Sequence, residues 1–141
     1  MRFVKLEGSH YEMGLSLGRR IRGFTPPPRD IKIAKENAQV IASYFPEYLD
    51  EIKGFAEGAK VDYDELLAFI VGIFAEQNDE NLQSKCSVFV ATEDATEDEK
   101  SIVGRNYDWR IEFRRFGTTF HTKPNKGLAS IGNCDYFIAR E

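Results

Sequence analysis

"KCSVFVATEDATEDEKSIVGRNYDW", residues 85–109, is the stretch on which the fold turns. Cys86–Thr92 is short, β-branched and aromatic, and Ser101–Trp109 has the same character. Between them lies "EDATEDEK", a run of charge and small polar residues. Two apolar runs bounded by such a segment read as a hairpin. With the turn centred near Ala95–Glu97, Cys86 falls opposite roughly Arg105–Asp108. The return strand therefore brings Arg105, Asn106, Tyr107 and Asp108 toward a cysteine. Strand side chains alternate faces, so Arg105 and Tyr107 share one side and Asn106 and Asp108 the other.

Upstream of this hairpin the pattern is helical. "RFVKLE", residues 2–7, alternates apolar and polar and reads as a short strand that Gly8 ends. Ser9 and Glu12 have the spacing of a capping box, which opens a helix carrying Met13, Leu17 and Ile21 on one face. Gly14 and Gly18 stand one turn apart in it. Each costs about 1 kcal/mol against alanine in a helix, so a close-packed neighbour is expected there. "TPPPR" ends that helix, because proline removes donors and disfavours helix in the residue before it. A second helix is expected over Asp30–Tyr44 with Ile33, Val40 and Ile41 inward. A third is expected over Pro46–Ala59, opened by Pro46 and carrying Tyr48, Leu49, Ile52, Phe55 and Ala56. Asp62 caps a fourth, whose "LLAFIVGIF" is apolar almost all round and calls for burial on most sides.

"EQNDENLQSK" then forms a polar link, and the stretch after it is mostly strands. Beyond the hairpin, strands are expected at Thr118–Thr122, Leu128–Ile131 and Asp135–Ala139. Helices first and antiparallel strands afterwards point to an α+β fold. The division runs 1–85, helical, and 86–141, the start of a sheet. The chain stops in or just after a strand, so the sheet reads as incomplete. Unfinished edges invite pairing, and a homo-oligomer or a complementing chain is expected to complete it.

Composition bounds the function. The net charge of −4 speaks against a nucleic-acid partner, which needs concentrated positive surface. The clusters Arg19, Arg20, Arg22 and Arg110, Arg114, Arg115 read as solvated faces. No signal-peptide pattern opens the chain, and the longest apolar run, Leu66–Phe74, is far short of the roughly 20 residues that span a bilayer. A cytoplasmic setting with reduced thiols is the expectation. The two cysteines make no disulfide framework, and neither they nor His10 and His121 form a zinc pattern, so no metal and no organic cofactor is implied.

Two readings of Cys86 stand side by side. Free cysteine is among the most buried residue types and is common in strands. A cysteine flanked by charge can instead be a nucleophile, its thiolate populated by a nearby cation or base. In the second reading Arg105 holds the thiolate or a substrate carboxylate, Asp108 orients an amine, and Asn106 donates to an oxygen. Phe89, Trp109 and Phe113 then line an acyl pocket, or else pack in the core. Cys134 has no charge pattern around it and reads as structural.

"CSVFVAT … SIVGRNYDW" resembles the start of the mature catalytic part of N-terminal-nucleophile cysteine hydrolases. The likeness is nearest to the acyl-CoA:6-aminopenicillanic acid acyltransferase group, peptidase family C45, with choloylglycine (bile-salt) hydrolases and acid ceramidase as more distant relations. "GSHYEMGLSLGRRIRG" is similar to the family's opening segment, "YLDEIKGFAEGAKVDYDELLAFIV" to its helical stretch, and "GLASIGNCDYFIARE" to a later strand pair.

The resemblance implies an αββα sandwich, of which this chain holds the N-terminal helices and first strands. It implies a precursor that cuts itself between Lys85 and Cys86. Residues 1–85 are then propeptide-like, and Cys86 becomes an N-terminal nucleophile using its own α-amine as base. The reaction class is hydrolysis or acyl transfer at linear amide bonds of a small-molecule amide or acyl donor. Catalytic roles fall on Cys86, Arg105 and Asp108, and substrate contacts on Asn106, Tyr107 and Trp109. Lys85 and Ser87 differ from the small residue and threonine that flank the nucleophile in many relatives. The relatives are longer, and their oxyanion-hole asparagine lies downstream of residue 141. Losing such a donor costs about 10²–10³ in rate, so the 141-residue chain alone is expected to be nearly inactive. The other function class is a non-catalytic relative acting as a binding or assembly module.

Overall fold

The computed structural model describes residues 2–76, 86–107 and 117–134 of the chain. Strand β1 spans Arg2–Gly8, and helices α1 to α4 span His10–Arg20, Ile31–Tyr44, Pro46–Ala59 and Tyr63–Glu76. Strands β2, β3, β4 and β5 then cover Cys86–Ala91, Ile102–Tyr107, Thr118–Pro124 and Ser130–Cys134. The fold is α+β.

Local chemistry sets the helix starts. At α1 the Ser9 amide donates to Glu12 Oε2 at 2.7 Å, and the Glu12 amide donates to Ser9 Oγ at 3.2 Å. That is the reciprocal capping box the sequence predicts. Asp30 caps α2, its Oδ1 accepting from the amides of Lys32 and Ile33. Pro46 takes the first position of α3, where its missing N–H costs nothing. Asp62 Oδ1 accepts from the Glu65 amide at the head of α4. Helix α3 ends on Lys60 in the left-handed region, φ 61°.

The glycines of α1 explain its packing. A Cβ on Gly14 would collide with the Glu51 carbonyl oxygen and stand 2.9 Å from the Phe55 nitrogen. Gly54 and Gly58 of α3 meet α1 in the same way, against the carbonyls of Tyr11 and Leu15. Four glycines, paired one turn apart on each helix, thus let two backbones touch. The close neighbour expected from Gly14 and Gly18 is α3.

Two apolar clusters follow. The larger gathers Ile52, Phe55, Ala56 and Ala59 of α3 with Leu66, Leu67 and Ile70 of α4, closed by Ile21 and Ala34. Phe24 lies against Phe69 with ring centroids 5.3 Å apart. The smaller joins Val4 and Leu6 of β1 to Met13, with Phe120 alongside. In α4, Leu66 to Ile70 are all buried, as an all-round apolar helix requires.

The structure corrects three expectations. Helix α2 buries Ala34, while Ile33 and Val40 are 52% and 58% exposed. Its apolar residues spread around the helix, and the small alanine face is the one that fits closely against its neighbours. Instead of a strand at Leu128–Ile131, one runs Ser130–Cys134, and Leu128 is exposed. Asp135–Ala139 lies outside the described residues. Finally, the strands are not all antiparallel. The sheet β1-β4-β5 is mixed, with β1 parallel to β4 and β4 antiparallel to β5. Parallel neighbours need a long crossover, and all four helices lie between β1 and β4. Thus a strand of the helical segment is hydrogen-bonded into the segment that follows. Among the described residues no helix is long and apolar enough to cross a membrane.

Candidate functional site

The hairpin forms where the sequence predicts it. Strands β2 and β3 pair antiparallel, with Cys86 opposite Tyr107, Ser87 opposite Asn106, Val88 opposite Arg105 and Val90 opposite Val103. Directly opposed residues share a face, so the pairs alternate between the two sides. Arg105 lies in one row with Val88, Val90 and Val103, and Cys86 and Tyr107 occupy the register positions that continue this row. Asn106 and Ser87 stand in the other row, with Phe89, Ala91, Ile102 and Gly104. The register therefore groups Cys86, Arg105 and Tyr107 by position and sets Asn106 apart from them. Asp108, Trp109, Phe113, Lys85 and the cluster Arg110, Arg114, Arg115 lie outside the described residues.

The turn carries its charge in local pairs. Lys100 Nζ sits 2.6 Å from Asp98 Oδ2. That hydrogen bond, with the Lys100 amide assisting, holds the Asp98 carboxyl below its usual range. Glu93 and Glu99 adopt positive φ, at 48° and 57°, to turn the chain.

Both faces of the hairpin are apolar, and both are open. Val88, Phe89, Val90, Ile102 and Val103 each keep more than half of their surface exposed. Phe89 lays its ring over Gly104, where a Cβ would strike it. A strand pair with one solvated face alternates apolar and polar, whereas one covered on both faces is apolar throughout. In this hairpin the apolar residues fall in both rows, Val88, Val90 and Val103 in one and Phe89, Ala91 and Ile102 in the other.

A second arrangement was not foreseen. The sequence treats His10 as a lone histidine, yet its Nδ1 lies 3.1 Å from Glu51 Oε2 on α3. At the next residue the Tyr11 hydroxyl donates to the Glu57 carboxylate, further along α3. That bond, followed by desolvation, raises the Tyr11 pKa. A groove of about 580 Å³ opens between the start of α1, the start of α3 and the β4–β5 turn, and a second of about 420 Å³ opens beside it toward α2. The β4–β5 turn is fixed there by the Asn125 amide, which donates to the Gly8 carbonyl at 2.8 Å. The only sequence signal for this contact was the glycine spacing, which brings α3 against α1. Among the described residues no three His, Cys, Asp or Glu side chains converge as a metal site would require.

No family model matches the chain. A protein of Archaeoglobus fulgidus, itself described as uncharacterized, is 29% identical over 165 aligned positions that take in 88% of this chain. The chain spans 27% of that relative's length.

Proposed function

We propose that this chain is the N-terminal part of an N-terminal-nucleophile cysteine hydrolase or acyltransferase acting on linear amides, with Cys86 as the nucleophile. The observation that carries the proposal is the hairpin. A cysteine opens its first strand, an arginine stands in the same row of the second, and both faces are apolar. A central strand pair of an αββα sandwich has this character, since helices cover each side. The similarity to a much longer archaeal protein supports the view that more chain belongs around this unit.

The chemistry follows from the nucleophile. Hydrolysis of the Lys85–Cys86 peptide frees an α-amine, with a pKa near 8, beside the thiol. The amine takes the Sγ proton, and sulfur attacks the substrate carbonyl carbon. The C–N bond breaks, the leaving amine takes a proton, and a thioester remains. Water or a second amine then attacks that thioester and releases the thiol. Arg105 holds the thiolate or a substrate carboxylate, and Asp108 orients the α-amine. The proposed setting is the cytoplasm, where free thiols stay reduced, and the proposed covering partner is further chain or a second copy.

The test is made on the complete gene product. Intact-mass analysis is expected to find a break between Lys85 and Cys86, and hydrolysis of N-acyl amides is expected to fall to background in Cys86→Ala. Full activity in Cys86→Ala refutes the proposal. An unbroken chain that thiol-reactive acyl probes leave unlabelled favours the binding-module alternative.

A further inference from the structure

The two grooves beside His10 adjoin through a shared wall, and together they are treated as one trough. His10 and Glu47 line both grooves and mark the junction. Beyond them on one side come Asn125 and Lys126 of the β4–β5 turn. On the other side come Ile41, Phe45 and Tyr48. The volumes, about 580 and 420 Å³, lie within the usual range for small-molecule sites of about 300–1,000 Å³.

The charges along the trough are largely accounted for. Glu51, which lines the second groove, lies 3.1 Å from His10 Nδ1. Asp50 pairs with Lys53 at 3.2 Å. Two charges remain without an ion-pair partner among the described residues, Glu47 at the junction and Lys126 at the polar end. The order along the trough is therefore cation, anion, apolar surface. A complementary ligand presents an anion, then a cation, then an apolar group.

We infer that this trough binds a free α-amino acid with a large apolar side chain. Its carboxylate faces Lys126, its ammonium faces Glu47, and its side chain lies on Ile41, Phe45 and Tyr48. The His10–Glu51 contact fixes the wall between the two lobes by tying the start of α1 to α3. The site shares no residue with the Cys86 hairpin and stands or falls without it.

The experiment is calorimetric titration of the full chain with four probes, alongside NMR of the His10 ring. L-phenylalanine carries all three groups, phenethylamine lacks the carboxylate, 3-phenylpropanoate lacks the ammonium, and L-alanine lacks the apolar group. L-phenylalanine is expected to bind most tightly and to shift the His10 signals. Each deleted charge is expected to cost about 2- to 5-fold, as exposed ion pairs do. Lys126→Ala is expected to erase the preference over phenethylamine and keep that over 3-phenylpropanoate. Glu47→Gln is expected to do the reverse. Both side chains are exposed, so both variants should keep the parent's circular dichroism. The inference is overturned if 20 mM (on the order of the weakest useful affinity) L-phenylalanine produces neither heat nor a His10 shift. It is equally overturned if the four probes bind alike, or if the two variants leave the preferences unchanged.

Discussion

Replacing Gly14 by alanine should destabilise the protein, although alanine is the better helix former. In an isolated helix the change gains about 1 kcal/mol. Here the new methyl would stand 2.8 Å from the Glu51 carbonyl carbon and 2.9 Å from the Phe55 nitrogen. Carbon atoms in contact sit about 3.5–4.0 Å apart, so α1 and α3 must part by about 1 Å. The atoms struck are backbone and cannot rotate aside. A gap of 0.5–1 Å forfeits about a quarter to a half of each affected contact's attraction, and overpacking of this sort costs about 1–3 kcal/mol, sometimes more. A net loss of about 2 kcal/mol is expected, read as a lower urea midpoint by circular dichroism. Gly54→Ala should behave alike, since its methyl would meet the Tyr11 carbonyl carbon at 2.9 Å. Once one substitution has parted the helices, the second has less to disrupt, so the double variant should lose less than the sum of the two. Gly132→Ala is the control, with no atom within 4 Å of the added carbon. A neutral Gly14→Ala, or strict additivity with Gly54→Ala, would refute the close helix contact.

Other outcomes can be measured with little more effort. Leu66 of α4 is fully buried in the cluster with α3, so Leu66→Ala should cost about 2–5 kcal/mol and lower the thermal midpoint. The Glu12 carboxyl is held below its usual pKa, first by the Ser9 amide and then by the Ser9 hydroxyl. Its contribution is therefore complete above the ordinary glutamate value and disappears as pH falls through the lowered one. The stability gap between the parent and Glu12→Ala should narrow on acidification over that interval; a gap that widens would contradict the capping role. With the hairpin open on both sides, the 141-residue chain should self-associate, and Val90→Lys with Val103→Glu should reduce that association in static light scattering. A strictly monomeric parent would count against the open hairpin.

Much of the fold was legible because its signals are local. Ser9 with Glu12, Asp30, Pro46 and Asp62 each mark a helix start through chemistry within one turn, and each helix begins there. Gly14 and Gly18 announced a close neighbour because helical glycine is otherwise a cost. The hairpin was readable from two apolar runs and a charged turn, down to the interval facing Cys86. What escaped depends on contacts between distant segments. Periodicity gave α2 an apolar face but not the narrow alanine side that fits its neighbours. Alternation in β1 and β4 carries no direction, so their parallel pairing was invisible. His10 and Glu51 lie on different helices, and nothing near either one in sequence announces the other.

The pairing of Arg2 with Thr118 and of Gly8 with Pro124 also sets an order of events. During synthesis α1, α2 and α3 leave the ribosome together and can dock while β4 is still unmade. Strand β1 then waits, with Val4 and Leu6 covered by Met13 but not yet by Phe120, until residues 118–124 have emerged. Such distant closures are slow and expose sticky segments in the meantime. The vulnerable interval for this unit therefore runs from the emergence of its first strand to the emergence of residues 118–124.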